Sequence, residues 1–290
     1  MELTPTSVEV IAASGGVSLH TERFLPVGPA RAMVVVVHGF SAHCGNYRHV
    51  AQACAAAGMA TTLFDCRGHG RSQGRRGYVD RFAMFSADLD LVMAGARAAT
   101  PGLPLALVGH SHGATIALDY VLERRGSVDA LVLAAPWLAL KLKVPAYKLL
   151  LSGIMGSLWP TLAMGNELRS QDASRNPEVW AGMDNDPLIH HVATPRWFNE
   201  VQAAQARIIQ AAGKLKAPTL MLVAGDDRIV STDVALEFAR AVGPLVEVKR
   251  YDGLFHELFL EPEREQVIGD IVRWLQGVLI DGRPRPDPYT

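Results

Sequence analysis

One short stretch restricts the fold more than any other. Leu105 to Val108, an apolar run of strand composition, leads directly into Gly109-His110-Ser111-His112-Gly113, and a helix-forming segment, Gly113 to Glu123, follows. A buried strand that turns into a helix within a few residues places Ser111 on a bend that is strained for most side chains. Gly109 and Gly113 leave room there for neighbouring backbone to pass close. The bend pushes the Ser111 hydroxyl out of the sheet edge, and the helix points its positive dipole end at the place where negative charge develops in acyl transfer. The bare pattern is common by chance. Its position between a strand and a helix makes Ser111 a candidate nucleophile.

The rest of the chain alternates in the same way. Strand-like runs are read at Val8–Ala12, Val17–Phe24, Ala32–Val37, Ala60–Phe64, Leu105–Val108 and Ala130–Leu133. Helix-like segments at Tyr47–Ala57 and Arg81–Ala98 separate some of them, the second with Asp88 and Asp90 expected on its polar side. The first two strands are short and expected to be antiparallel. The β-branched Ala32–Val37 has the composition of a strand buried on both faces. From Trp137 to about Ala204 no strand-like run occurs. Leu149, Leu150, Ile154, Met155, Leu158 and Trp159 recur there at helical spacing. Alternation returns at Leu220–Val223, Val234–Val242, Leu245–Lys249 and Glu263–Leu279. This pattern predicts an α/β chain with a mostly parallel central sheet, helices on both faces, and a helical cap inserted after the sixth strand. The expected division is a core of residues 1–136 and 208–280, a cap or lid of 137–207, and a loose tail of 281–290 carrying Pro284, Pro286 and Pro288. In such sheets ligands sit at the carboxyl ends of the strands, so an insertion on that edge forms a lid.

Charge excludes some partners. With 28 basic and 29 acidic residues the net charge is −1, which gives no general attraction to nucleic acid. Only Cys44, Cys54 and Cys66 are present, with neither a disulfide framework nor metal-ligand spacing. No metal and no organic cofactor is expected. Met1 to Val10 carries Glu2 and Glu9 without a basic or apolar leader pattern, and no apolar run reaches the ~20 residues of a spanning helix. A cytoplasmic location is expected, with peripheral membrane contact at most.

A serine hydroxyl needs a neighbouring base and donors for the oxyanion. The strand Ala32–Val37 ends in His38-Gly39-Phe40, where a glycine lets backbone amides face a ligand. The amides of Phe40 and His112 are the expected oxyanion donors. With the order serine, acid, histidine, the base candidates beyond His112 are His190, His191 and His256. His256 follows the last strand and precedes the last helix, so it emerges on the same sheet edge as Ser111 and is the expected base. The acid belongs after Leu220–Val223, where Asp226 and Asp227 are both open by position.

These blocks together resemble the monoacylglycerol lipase and lysophospholipase branch of the α/β-hydrolases, over about residues 38–275. The matching blocks are His38-Gly39-Phe40, Gly68-His69-Gly70-Arg71-Ser72, Gly109-His110-Ser111-His112-Gly113, Gly225 to Val230, Gly253 to His256, and Asn185-Asp186-Pro187-Leu188. The resemblance implies the acid at Asp227, hence a triad of Ser111, Asp227 and His256. It also implies supporting roles for His38, Gly39, Gly109, His110 and Gly113. The residue after the nucleophile is often methionine in this branch and is His112 here, a polar ring that bears on acyl fit or pH dependence. The loop with Arg67, Arg71, Arg75 and Arg76 is read as solvated.

The cap region is rich in leucine and contains Trp137, Trp159, Trp180 and Trp197, either packing against the core or lining an apolar acyl tunnel. Lys141, Lys143 and Lys148 among its leucines suggest transient contact with a lipid surface. The expected activity is hydrolysis of a small-molecule acyl ester, most simply a monoacylglycerol, through an acyl-enzyme on Ser111. A lysophospholipid, a thioester or a small ester are alternatives with the same triad. A hydrolase fold serving as an inactive ligand receptor is the rival from another class.

Overall fold

The computed structural model describes residues 4–123, 127–141, 153–166 and 168–282. An eight-stranded sheet has the order β1-β2-β4-β3-β5-β6-β9-β10. Its strands are β1 (Ser7–Ala13), β2 (Val17–Phe24), β3 (Ala32–Val37), β4 (Met59–Phe64), β5 (Leu105–His110), β6 (Ala130–Ala134), β9 (Thr219–Ala224) and β10 (Val246–Tyr251). β2 runs antiparallel to β1 and β4, and the remaining pairs are parallel. Strand alternation divides the core between the two faces. Met33, Val35 and Val37 of β3 join one apolar cluster, and Ala32, Val34 and Val36 join the other. The first face is covered by α2 (Ala83–Ala99) and α3 (His112–Leu122), the second by α1 (Arg48–Ala56) and, at the end of the chain, the helix Arg264–Leu279. The uninterrupted apolar composition of β3 follows from this burial on both sides. The sheet and its two layers are those expected from the alternation.

Strand ends depart from the sequence reading where they matter. β5 continues through Gly109 and His110, so the strand delivers Ser111 without an intervening loop. The helix expected to begin at Tyr47 begins at Arg48, preceded by a 3₁₀ turn over Cys44–Tyr47 that His43 caps. Between β6 and β9, after residues 153–158 of a helix, lie β7 (Met164–Gly165), α4 (Ser170–Ala173), α5 (Pro177–Asn185), β8 (Val192–Ala193) and α6 (Pro195–Gln210). β7 and β8 pair antiparallel, although the sequence reading expects no strand between Trp137 and about Ala204. At two residues each they are too short to show a periodicity. α7 (Thr232–Val242) and α8 (Arg264–Leu279) complete the chain.

Two charged side chains also differ from expectation. Asp88 lies on the buried side of α2, not the solvent side, and Arg67 is only 5% exposed, not solvated. Arg67 donates to Asp88 through Nε (2.6 Å) and Nη2 (2.5 Å). A fork-to-carboxylate pair lets both groups be buried, a possibility that helical periodicity does not register. Burial pushes the Asp88 carboxyl above its ordinary range even against the pull of Arg67. Arg71 and Arg75 are exposed and Arg76 is half-buried.

Lys143, Lys148, Leu149, Leu150 and the prolines of the tail lie outside the described residues. Among the described residues no helix is long and apolar enough to cross a membrane.

Candidate active site

Three loops at the carboxyl edge of the sheet meet at Ser111. This residue adopts φ 52°, ψ −116° between β5 and α3, a left-handed conformation that costs energy for any residue with a Cβ. Close packing enforces the turn. A Cβ on Gly109 would stand 2.6 Å from Cα of Ala114, and one on Gly113 would stand 2.2 Å from the carbonyl oxygen of Val37. The Ser111 amide donates to Ala134 O (2.9 Å), and its carbonyl accepts from Ala114, Thr115 and Trp137. Strain is therefore held in place on both sides.

The Ser111 hydroxyl donates to Nε2 of His256 (2.8 Å), and Nδ1 of His256 donates to Oδ2 of Asp227 (2.8 Å). The second carboxylate oxygen of Asp227 accepts from the amides of Ile229 and Val230, each at 2.8 Å. Asp226, open by position in the sequence, is exposed, and its amide donates to Leu254 O. Burial opposes charge on Asp227, yet the facing His256 ring and the two amides hold its carboxyl below the ordinary range. Burial likewise opposes charge on His256, but Asp227 raises its pKa above the usual imidazole value. Such a chain can take a proton from a serine and stabilise the imidazolium that forms. His190 instead packs 5.1 Å from the Phe40 ring, and His191 is exposed.

The turn His38-Gly39-Phe40 passes directly beside the serine, since a Cβ on Gly39 would lie 3.5 Å from Cβ of Ser111. Nε2 of His38 accepts from the Cys66 amide (2.9 Å), so its proton sits on Nδ1, which donates to Gly39 O (2.7 Å). Gly39 C=O and Phe40 N–H belong to one planar peptide and point in opposite directions. Holding the carbonyl therefore aims the Phe40 amide. His112 opens α3, so its amide lies at the positive end of that helix.

Tyr47, which the sequence reading did not single out, ties these parts together. Its hydroxyl accepts from the Gly39 amide (3.1 Å) and donates to Nδ1 of His110 (2.9 Å). Nε2 of His110 donates to the His256 carbonyl (3.1 Å). One buried relay thus spans the Gly39 turn, the residue before Ser111 and the loop of the base. Burial lowers the His110 pKa, which keeps the ring neutral and able both to accept and to donate. The only sequence signal is an aromatic residue just before a helix, shortly after His38-Gly39.

His20, Glu22 and Cys44, and also His110, His256 and Glu257, lie close enough to hold a metal ion. In the first set both Glu22 oxygens are taken by Arg48, and in the second both His256 nitrogens are taken by Asp227 and Ser111. Hydrogen bonding within the protein thus accounts for both groups.

Residues 28–263 match the family model described as serine aminopeptidase, S33. The chain is 33% identical over 266 residues to a monoacylglycerol lipase of Mycolicibacterium smegmatis, covering 91% of this chain and 95% of that one. It is 30% identical over 239 residues to the phospholipase YtpA of Bacillus subtilis, covering 81% and 92% respectively. The crystal structure of Paleococcus ferrophilus monoacylglycerol lipase superposes with a TM-score of 0.81 at 28% identity, over 89% of this chain and 98% of that one.

Proposed function

Since the chain belongs to the S33 serine aminopeptidase family of α/β-hydrolases and is a lipase-like serine hydrolase, we propose that it cleaves medium- or long-chain monoacylglycerols through an acyl-enzyme on Ser111. The observation that carries this reading is the unbroken line Ser111–His256–Asp227, with 2.8 Å at each link. Ser111 Oγ attacks the ester carbonyl as His256 Nε2 takes its proton. The amides of Phe40 and His112 hold the oxyanion, and the proton passes to the leaving glycerol oxygen. Water, deprotonated by the same nitrogen, then releases the fatty acid and restores the serine. His38, Tyr47 and His110 position the amide and the base without touching the ester.

In this proposal residues 1–136 and 208–280 supply the chemistry and 137–207 cover it. Trp137 and Trp197 are buried, whereas Trp159 is 61% exposed, so the tryptophans do not form one wall. An open groove of about 370 Å³ lined by Trp137, Leu138, Leu140, Phe198, Gln202 and Ile209 offers an apolar course for a chain. Ile154, Leu158, Trp159 and Met164 are exposed and suit transient contact with a lipid surface. The similarity to a phospholipase keeps a lysophospholipid as the second reading.

Fatty-acid release from monoacylglycerols of increasing chain length, with Ser111→Ala beside the wild type, tests the proposal. Turnover of C8 to C18 chains that vanishes in the variant is expected. Turnover confined to the shortest esters, or retained by Ser111→Ala, contradicts it.

A further inference from the structure

Five polar aromatic side chains form a connected buried cluster around Phe40. Ring centroids lie 5.6 Å away for His69, 6.1 Å for His112, 5.1 Å for His190 and 3.9 Å for the stacked Trp197. Trp137 joins through His112 (5.8 Å) and Trp197 (5.6 Å). Phe82 and Phe85 meet His112 edge-on. All five are at least nine-tenths buried.

Their hydrogen bonding separates this cluster from ordinary apolar packing. Among the described residues, neither nitrogen of His112 has a partner, nor do Nε1 of Trp137, Nε1 of Trp197 and Nε2 of His69. The His190 nitrogens also lack a hydrogen bond of ordinary geometry, although the Val192 backbone favours its charged form. A buried polar group without a partner is expensive, and folded proteins rarely keep several together. The missing partners have a definite chemistry. Indole nitrogens only donate. His69 donates through Nδ1 to Arg67 O (3.0 Å), so its Nε2 accepts. Burial, with His38 adding to it, pushes the His112 pKa down to about 3. A neutral His112 ring therefore offers one donor and one acceptor. An alkyl chain satisfies none of these groups, whereas a hydroxyl both gives and takes.

We propose that this cluster is a subsite for an acyl chain carrying a hydroxyl within a few carbons of the ester carbonyl, with His112 its main specificity-determining side chain. The proposal rests on the ester-hydrolase reading above. The hydroxyl is placed near the ester carbonyl because His112 adjoins Ser111 in the chain and Phe40 follows Gly39, whose turn packs beside Ser111. Trp137 belongs both to the cluster and to the lining of the open groove.

The test compares kcat/KM for ethyl decanoate, ethyl 2-hydroxydecanoate and ethyl 3-hydroxydecanoate in the wild type, His112→Met and Trp197→Phe. Ethyl esters remove the hydroxyls of glycerol, and 1-decanoylglycerol is run alongside. The wild type is expected to favour one hydroxy ester over the decanoate by about tenfold or more, because a site built for a hydroxyl discriminates against its absence. His112→Met should collapse that ratio and Trp197→Phe should reduce it. A ratio near one in the wild type overturns the proposal, as does a preference that both variants retain. A His112-dependent preference for glycerol over ethyl decanoate assigns the cluster to the alcohol and also overturns it. If His112→Met does not fold, the wild-type ratio and Trp197→Phe decide. Fluorophosphonate labelling of Ser111 is measured in parallel. Labelling with a flat ratio rejects the subsite alone; no labelling and no turnover rejects the hydrolase reading as well.

Discussion

Every residue of β3, β4, β5, β6 and β9 is buried, whereas α5, in the segment between β6 and β9, has no buried residue at all. The two regions are held differently. Apolar side chains on both sheet faces fix the core, and the turn at Ser111 is wedged between backbones. The segment between β6 and β9 adds polar contacts at its rim to the apolar packing of Trp197, Val201 and Ala204. Asp186 accepts from His43 Nε2 (2.8 Å), Thr194 Oγ1 donates to Gly77 O (2.8 Å), and Asn166 donates to Ser41 Oγ (3.0 Å). Dense packing resists displacement of even a methylene, while each of these buried or half-buried hydrogen bonds contributes only about 1 kcal/mol. In the proposed function the groups that make and break bonds stand on the densely packed region, and residues 137–207 are left to govern access and fit.

Substitutions should separate these regions by size of effect. Asp227→Asn is expected to lower kcat by about 10⁴-fold, since the base loses its orientation and the stabilisation of its charged form. Steady-state hydrolysis, with circular dichroism to confirm folding, measures this. The pH profile carries a sign as well. Asp227 raises the His256 pKa, and a protonated His256 is no base, so kcat/KM should fall as pH drops through a value above 6.5. Stability runs the other way: the gain from pairing charged His256 with Asp227 is complete below 6.5 and fades as pH rises through the folded-state value.

Next in size is the buried pair beneath the loop. Arg67→Ala leaves the buried Asp88 carboxyl without its partner, which should cost about 3–5 kcal/mol in denaturant unfolding. Asp172→Ala in the cap removes a contact to Arg228 at 3.8 Å between exposed groups and should cost less than about 1 kcal/mol. Equal losses would erase the distinction between the regions. Tyr47→Phe should reduce kcat by about tenfold with KM little changed, because it frees the Gly39 amide and His110 without touching substrate. A change in KM alone would place Tyr47 in binding. The smallest effect is expected for Asp186→Asn, a shift in KM of about twofold at unchanged kcat. Burial opposes charge on Asp186, but the Leu188 amide and His43 hold its pKa below 3.8. This tie is thus complete above that value and lost as pH falls through the lower one. A large fall in kcat would mean that the cap orders the chemical groups.

The same contrast explains what the amino-acid sequence disclosed. β3 and β5 were legible because strands covered on both faces have an unmistakable apolar run, and the glycines around Ser111 are dictated by backbone contacts within a few residues. His256 followed from chain order, but Asp227 over Asp226 did not, since adjacent carboxylates differ only in which way the loop turns; the family resemblance made that choice. Tyr47 joins residues 39, 110 and 256 across the fold, and no local pattern announces such a contact. Asp88 was read as solvent-facing because periodicity shows that a helix has two sides without showing that Arg67 lies over one of them. The antiparallel pair of β7 and β8, two residues each, is too short to leave a signature.

The most direct test of the account is intact-protein mass spectrometry after treatment with a fluorophosphonate, followed by mapping of the modified peptide. A single adduct on Ser111, formed rapidly by the wild type, slowly by Asp227→Asn and not by Ser111→Ala, is the expected result. An adduct on another residue, or a Ser111 that stays unmodified while ester hydrolysis proceeds, would contradict it.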